Sequence, residues 1–463
     1  MNRNDPWGRL RRFPATMHPH LRIPYGGKKT MRSWFLLLSL LVPHSVLAAT
    51  TAQNWIVVID LWGNPAYQSM DLLQDGELLR GKIDGDLLQG RRHGDEVEFV
   101  STDARGKQYR FSGKASGDDL AGNADFPDPN DDSRRVVHAF HARRVPQRPT
   151  GGPRRHEFVP DDYANEFSPH RVPALTIWPG DSVHTRTLDS GGVDEHGITR
   201  ALFGNPQNGP FFVAGAEPGD TLVVKIERLR TNRDYADSLD GIVGRAQGQS
   251  LAAKTTDLGK PRRWTLDPAR GVARPENATG ALRGLEVPLR PMLGGLGVAP
   301  GFGWPAMSSG DSGRSGGNMD FNEVIEGNTV YLPVSQPGAL LYLGDAHAAQ
   351  GDGETTQYAL ETSMDVEFTV DLIKGRQIGM PRVESPTALM TLGQAGSLDD
   401  ALRAATTGLV QWLQQDYGLS LSEAAQLLGT SVEYRIATLA GRNVGLAAKM
   451  PKARLPPTVK KQP

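Results

Sequence analysis

The segment Leu343-Gly344-Asp345-Ala346-His347-Ala348-Ala349-Gln350-Gly351-Asp352-Gly353-Glu354 gathers three acids and a histidine among glycines, directly after an apolar run. Glycine lets the chain bend tightly and bring such groups to a common centre. Asp345 and His347 lie two apart, so they share one strand face, or one rim if the strand has ended. Histidine with carboxylates is a ligand set for zinc, manganese or iron, whereas calcium has no need of the imidazole. The same spacing also describes a solvated acidic turn. A second polar segment, Gly310-Asp311-Ser312-Gly313-Arg314-Ser315-Gly316-Gly317-Asn318-Met319-Asp320, has no apolar residue before Met319. It reads as a loop shaped by a ligand or as a plain glycine-rich turn. In the first case Asn318 and Asp320 reach one centre, and Gly316 and Gly317 offer backbone N–H groups to a developing oxyanion. His184, six residues after Trp178, is a third candidate ligand or a structural histidine.

These groups need a scaffold, and the pattern is mainly β with C-terminal helices. Residues 50–145 carry short runs such as Trp55-Ile56-Val57-Val58-Ile59 and Val97-Glu98-Phe99-Val100, separated by turn pairs such as Asp75-Gly76 and Asp84-Gly85. This spacing predicts a meander of hairpins. Closing the sheet would remove its edges, so a small barrel is expected, with Val136–Ala142 as its last strand. His138 and His141, three apart, fall on opposite faces there and are poor joint ligands. An accessory role is expected for this unit. A Pro/Gly-rich linker at 146–164 leads into a larger β-rich domain at 165–450, followed by a tail at 451–463. Within that domain Ala174–Trp178, Thr221–Ile226, Thr329–Val334, Ala339–Leu343 and Val366–Val370 read as strands, and 230–290 as a charged, weakly patterned surface excursion. Ser397 and Ser420 cap two amphipathic helices, the second with the Ser-x-x-Glu box. The second, Leu419 to about Leu428, with a further helical stretch expected after it, superficially resembles the start of a helix-turn-helix, but it reads better as a helical layer on the sheet.

Composition narrows the function. The chain of 463 residues has no cysteine, which excludes disulfides, cysteine nucleophiles and Cys-ligated zinc. Lys28, Lys29 and Arg32 precede the apolar run Trp34–Val42, and Val46-Leu47-Ala48-Ala49 supplies small residues for cleavage. The run is about half of what a membrane span requires. Residues 1–49 are therefore expected to be a leader that includes a signal peptide, with Met1 or Met31 as the start and a mature chain beginning near Ala48–Thr50. Mass measurement on protein from the native host checks this, and an intact Met1 or Met31 on cytoplasmic protein would contradict it. The leader holds eight Lys or Arg against one Asp, so its removal takes the formal charge from −1 to −8. A periplasmic or secreted, acidic protein with no stable transmembrane span and no attraction to nucleic acid is the expectation.

Four longer words make a more specific pattern. Asn205-Pro206-Gln207-Asn208-Gly209-Pro210-Phe211-Phe212-Val213, Gly215-Ala216-Glu217-Pro218-Gly219-Asp220-Thr221-Leu222, Gly316-Gly317-Asn318-Met319-Asp320 and Gly344–Glu354 occur in that order. With them, residues of about 165–450 resemble the acetamidase/formamidase family. The resemblance implies a mainly β amidohydrolase fold, hydrolysis of short linear amides to ammonia and a carboxylate, a divalent metal in or near the site, and a homo-oligomer. On that footing Asp320, Asp345 and His347 are the expected ligands, with His184 as a further one, and zinc is the expected ion with calcium as the alternative. Glu354 or Glu217 would be the proton-transferring carboxylate. The rival expectation is an exported ligand- or carbohydrate-binding protein in which the polar turns hold structural calcium.

Overall fold

The computed structural model describes residues 52–457, so the leader assigned to residues 1–49 lies outside the described residues. Eight strands, from Gln53–Leu61 to Asp131–Arg144, follow one another as antiparallel neighbours, and the last pairs back onto the first from Trp55↔Arg144 to Ile59↔Phe140. The barrel is closed as the hairpin spacing predicts. Asp84 and Gly85 both have positive φ, at 51° and 89°, the requirement of a two-residue turn whose twist matches the flanking strands. Val57, Ile59, Leu88, Phe99, Phe111 and Phe140 fill the interior. His138 points in among aromatic rings while His141 is exposed.

The larger region is built on two sheets that share one core. The six-stranded sheet has the order Leu175–Ile177, Gln207–Val213, Leu341–His347, Met292–Val298, Gly316–Asn318, Ser312–Gly313. The nine-stranded sheet includes Thr221–Thr231, Thr329–Pro333, Met364–Ile373, Ala388–Ala395 and Val444–Pro451. Phe211, Leu296 and Leu343 from the first sheet meet Leu222, Val330, Phe368 and Met390 from the second. Strands Gln207–Val213, Met292–Val298 and Leu341–His347 are buried at every residue, so polar groups carried on them cannot be solvated by bulk water.

The region 230–290 is not the loose excursion its composition suggests. Tyr235–Leu239, Pro261–Asp267, Val272–Pro275 and Val287–Pro288 form a four-stranded antiparallel sheet. Few of its residues are fully buried, which is why the apolar signal is faint. Ala236, Leu266 and Ala273 nevertheless pack on Ala348 and Leu360, placing this sheet beside the His347–Glu354 segment.

Helix Leu398–Tyr417 starts at Ser397, whose side chain accepts from Asp400 N, and ends at Gly418 with φ 65°. Leu421–Ser431 begins with the Ser420/Glu423 capping box and gives way to strand Glu433–Thr438, rather than to more helix. Leu409, Trp412 and Leu413 pack against Leu389, Leu446 and Met450. The helices are thus a layer on the nine-stranded sheet. No described helix is long and apolar enough to cross a membrane.

Candidate active site

Strand Leu341–His347 ends in the polar segment, and its neighbour Met292–Val298 runs antiparallel with Met292 opposite His347 and Gly295 opposite Gly344. Glycines on this pair make room for the acids. A Cβ at Gly294 would lie 2.5 Å from Asp320 Oδ1 and 2.7 Å from Asp345 Oδ2, and one at Gly295 would lie 2.6 Å from the Gln207 amide. Asp320, Asp345 and Glu354 take positive φ of 42°, 53° and 43°, a region L residues rarely occupy and that clusters at functional sites. Together these features turn three carboxylates onto one point.

One ligand atom each from Asp320, Asp345 and His347 lies within 4.8 Å of the others, and the same holds for His347, Glu354 and Glu361. All five residues are at most 5% exposed. His347 Nδ1 is 2.8 Å from Gln350 Oε1, so that nitrogen donates to the amide. This leaves Nε2 aimed inward, 3.2 Å from Glu361 Oε2 and 3.6 Å from Asp345 Oδ1. Gln350 also donates to the Asp320 carbonyl at 2.6 Å. Asn205 donates to Asp345 Oδ2 and to Asn318 Oδ1, both at 3.0 Å, and Asn318 donates to Asp320 Oδ2 at 2.6 Å. Each metal-facing carboxylate of the first group is therefore oriented through its other oxygen, the arrangement that fixes ligands in metal sites. Asp320 Oδ1, Asp345 Oδ1, His347 Nε2 and Glu361 Oε2 are buried with no hydrogen-bond partner. Buried polar atoms are normally paired, and these orphans, three in the Asp320/Asp345/His347 group and Glu361 in the group that shares His347, fit a divalent cation. The donor set is one imidazole with carboxylates.

Electrostatics agrees. Burial, reinforced by the charge of Asp345, pushes the Asp320 carboxyl up to about 7. Burial and Asp320 hold Glu354 well above the usual range, and burial raises Glu361. For His347 burial opposes the charged form, but Glu361 and Asp345 outweigh it and the ring is pushed well above its ordinary value. Crowded carboxylates need a proton or a cation. In chelator-treated protein the folded state keeps a proton on Asp320 that the unfolded chain, with an ordinary value of 3.8, releases between pH about 4 and about 7. Stability must then fall as pH rises through that window, and the raised His347 acts in the same direction. Melting temperature is expected to drop from pH 5 to pH 7.5 after chelation and to hold steady when a divalent ion saturates the site. A chelated protein that gains stability over this range would contradict the assignment.

The structure brings together Asp320, Asp345, His347 and Glu354, with Asn318 beside them, but not the other sequence candidates. His184 lies on strand Ser182–Arg186, its ring nitrogens taken by Glu157 and Asp365, so it has no donor left for this centre. Glu217 sits in the turn before Thr221, half-exposed and paired to Lys374 at 2.8 Å, facing barrel residues Asp71 and Asp84. It does not join this cluster. Gly316 and Gly317 are paired in strand Gly316–Asn318 on both edges. A Cβ on either would strike a backbone oxygen, Leu296 O or Asp311 O, at 2.5 Å, so close strand packing accounts for both. Gly313-Arg314-Ser315-Gly316-Gly317 has the spacing of a serine nucleophile elbow, but it forms the bend between two short strands, not the strand-to-helix turn an elbow requires. Asp352 turns away to Arg435 and Asn322.

Glu361, Asn205, Gln207 and Gln350 join the site without having been singled out. Glu361 is held through backbone bonds with Asp237 and by Arg233 N–H donation to its carbonyl, and Arg233 is itself locked to Asp189 at 2.6 Å. Its neighbours Ala359-Leu360 and Thr362-Ser363 carry no motif. Asn205, Gln207 and Gln350 did lie within the words that carry the family resemblance. Beside the cluster opens a cavity of about 490 Å³ with Glu354 and Gln350 on its wall. Tyr358 lines it too, and its hydroxyl is raised by burial and by the negative charges of Glu361, Asp345 and Glu354, so the cavity borders the acids.

Comparison with known proteins agrees with this geometry. The model of the acetamidase/formamidase family matches residues 306–440. The chain is 41% identical to the acetamidase of Mycolicibacterium smegmatis over 63 residues, a stretch spanning 13% of this chain and only 16% of that one. It is 25% identical to the formamidase of Methylophilus methylotrophus over 339 residues, 58% of this chain and 82% of that one. The crystal structure of an acetamidase from Yersinia enterocolitica superposes with a TM-score of 0.57 at 31% identity, covering 66% of this chain and 94% of the other. With that much of a solved acetamidase matched in both sequence and shape, the chain belongs to the acetamidase/formamidase family.

Proposed function

We propose that the chain is an amidohydrolase that cleaves the carbon–nitrogen bond of small primary amides with water, releasing ammonia and a carboxylate. The observation that carries this reading is the set of unpartnered buried atoms on Asp320, Asp345, His347 and Glu361, which fall in two adjoining groups that share His347, the second with the buried Glu354 carboxyl. Those four side chains would hold a divalent ion, zinc on this reading because the set includes an imidazole. Such an ion, when bound, polarises an amide carbonyl and acidifies water.

The chain's own groups do the rest. Gln350 fixes the His347 ring through Nδ1, and Asn205 and Asn318 fix the carboxylates. Glu354, whose one oxygen accepts from Thr438 Oγ1 at 3.2 Å, takes a proton from the attacking water and returns it to the departing nitrogen as the carbon–nitrogen bond breaks. A carboxyl pushed upward by burial suits both halves of that transfer near neutral pH. Burial of the whole set keeps bulk water from competing.

Ammonia release from a panel of amides tests the reading. Glu354→Gln is expected to lower kcat by roughly 10²–10⁴-fold, the usual worth of a general acid–base group, while leaving metal content unchanged. Wild-type protein that carries calcium alone and releases no ammonia would favour a binding protein instead. Export and homo-oligomer formation remain part of the proposal, supported by the leader sequence and the family resemblance. The barrel is proposed to be accessory: it has its own core and supplies none of the site residues. A shortened chain starting at Gly152 that lost all activity while still folded would overturn that role.

A further inference from the structure

We infer that the preferred substrate carries an aryl or branched apolar acyl group, seated in the cavity between the four-stranded sheet and the segment Ala349–Leu360. The inference rests on the amidohydrolase reading for its chemistry, but its evidence is separate. The cavity measures about 490 Å³, within the range of roughly 300–1,000 Å³ that accommodates ligands much larger than formamide or acetamide. Its inner wall is Glu354 and Gln350, the groups nearest the proposed chemistry. Its outer walls are Leu239, Trp264, Val287, Pro288, Tyr358 and Leu360, a mostly apolar surface with two aromatic rings.

Two details make this a built surface. Trp264 lies on strand Pro261–Asp267, and its indole N–H donates to Ser238 Oγ at 3.0 Å, which fixes the ring against the neighbouring strand while both residues line the cavity. A held aromatic face selects flat apolar groups. Arg290, the cationic residue on the wall, is paired with Glu323 at 2.7 Å, so no free positive charge attracts an anionic substituent. Glu354 at the inner end would repel one. The sheet that supplies Trp264 and Val287 thus acts as the specificity wall. With a primary amide the apolar group must be on the acyl side, since the other product is ammonia.

Burying an aromatic ring of about 100 Å² at roughly 25 cal/mol per Å² predicts a preference on the order of 30–100-fold. The test compares kcat/KM of the full chain for phenylacetamide and acetamide, and measures calorimetric binding of phenylacetamide to the Glu354→Gln protein. Phenylacetamide is expected to exceed acetamide by at least about tenfold. Trp264→Ala should remove that margin while acetamide stays within about threefold. Val287→Phe, which fills the cavity from the sheet side, should do the same if the first variant folds poorly. Equal or better turnover of acetamide by wild type, or parallel loss of both substrates in the variants, overturns the inference alone. Binding of phenylacetamide through Trp264 with no hydrolysis of any amide keeps the pocket and overturns the hydrolase reading. Neither binding nor turnover overturns both.

Discussion

Gly294→Ala is expected to lower activity by about 10²-fold or more and to reduce metal content, although the substitution adds one methyl group at a position outside every motif of the sequence. The added carbon would sit 2.5 Å from Asp320 Oδ1, 2.7 Å from Asp345 Oδ2 and 2.9 Å from the Asp345 carbonyl. Two of these three atoms belong to the carboxylates proposed as ligands, so relief can come only by moving them. A displacement of about 1 Å in a catalytic constellation costs about 10²-fold, and overpacking of this kind typically destabilises by about 1–3 kcal/mol. Melting temperature, metal content and kcat measured together check the claim. A Gly294→Ala protein with full metal and wild-type kcat would show that the carboxylates are not held where the structure places them.

His347→Ala is expected to abolish metal retention and activity together. Its Nε2 faces Asp345 and Glu361, and it belongs to both candidate ligand groups, so its loss removes a ligand atom from each. Changing a residue that only orients a ligand costs about 10–100-fold in metal affinity or activity, and losing the ligand itself should exceed that. The variant also leaves the buried carboxylates of Asp345 and Glu361 with neither the imidazole nor the ion it would help to hold, which destabilises the fold by roughly 3–5 kcal/mol by analogy with other broken buried pairs. Glu361→Gln isolates the metal effect with less disturbance, because the amide keeps the shape and the backbone bonds to Asp237 are unaffected.

What could be read in the sequence follows from where apolar periodicity is strong. The barrel announced itself through Asp-Gly turns between alternating runs, and both helices through Ser caps. The four-stranded sheet did not, because Pro261–Asp267 exposes Arg262, Arg263 and Thr265 and buries only Leu266 fully. Asp345, His347 and Glu354 stood out because glycines surround them at the end of a buried strand. Glu361 stayed hidden because it sits in a stretch with no motif and is brought in by a bridge to Asp237, a contact across more than a hundred residues of chain. His184 and Glu217 lie apart from this centre for the converse reason. Each is of the right residue type, but satisfies its charge locally, with Asp365 and Lys374.

The most direct test is elemental analysis of the purified full chain, prepared without added metal, beside its His347→Ala variant. A divalent metal, zinc by preference, is expected at this centre in the wild type. Ammonia release should be lost on chelation and restored by adding the ion back, with both metal and activity absent from the variant. A folded wild-type chain that hydrolyses amides at full rate without any bound metal, or a His347→Ala variant that keeps both, would contradict this expectation.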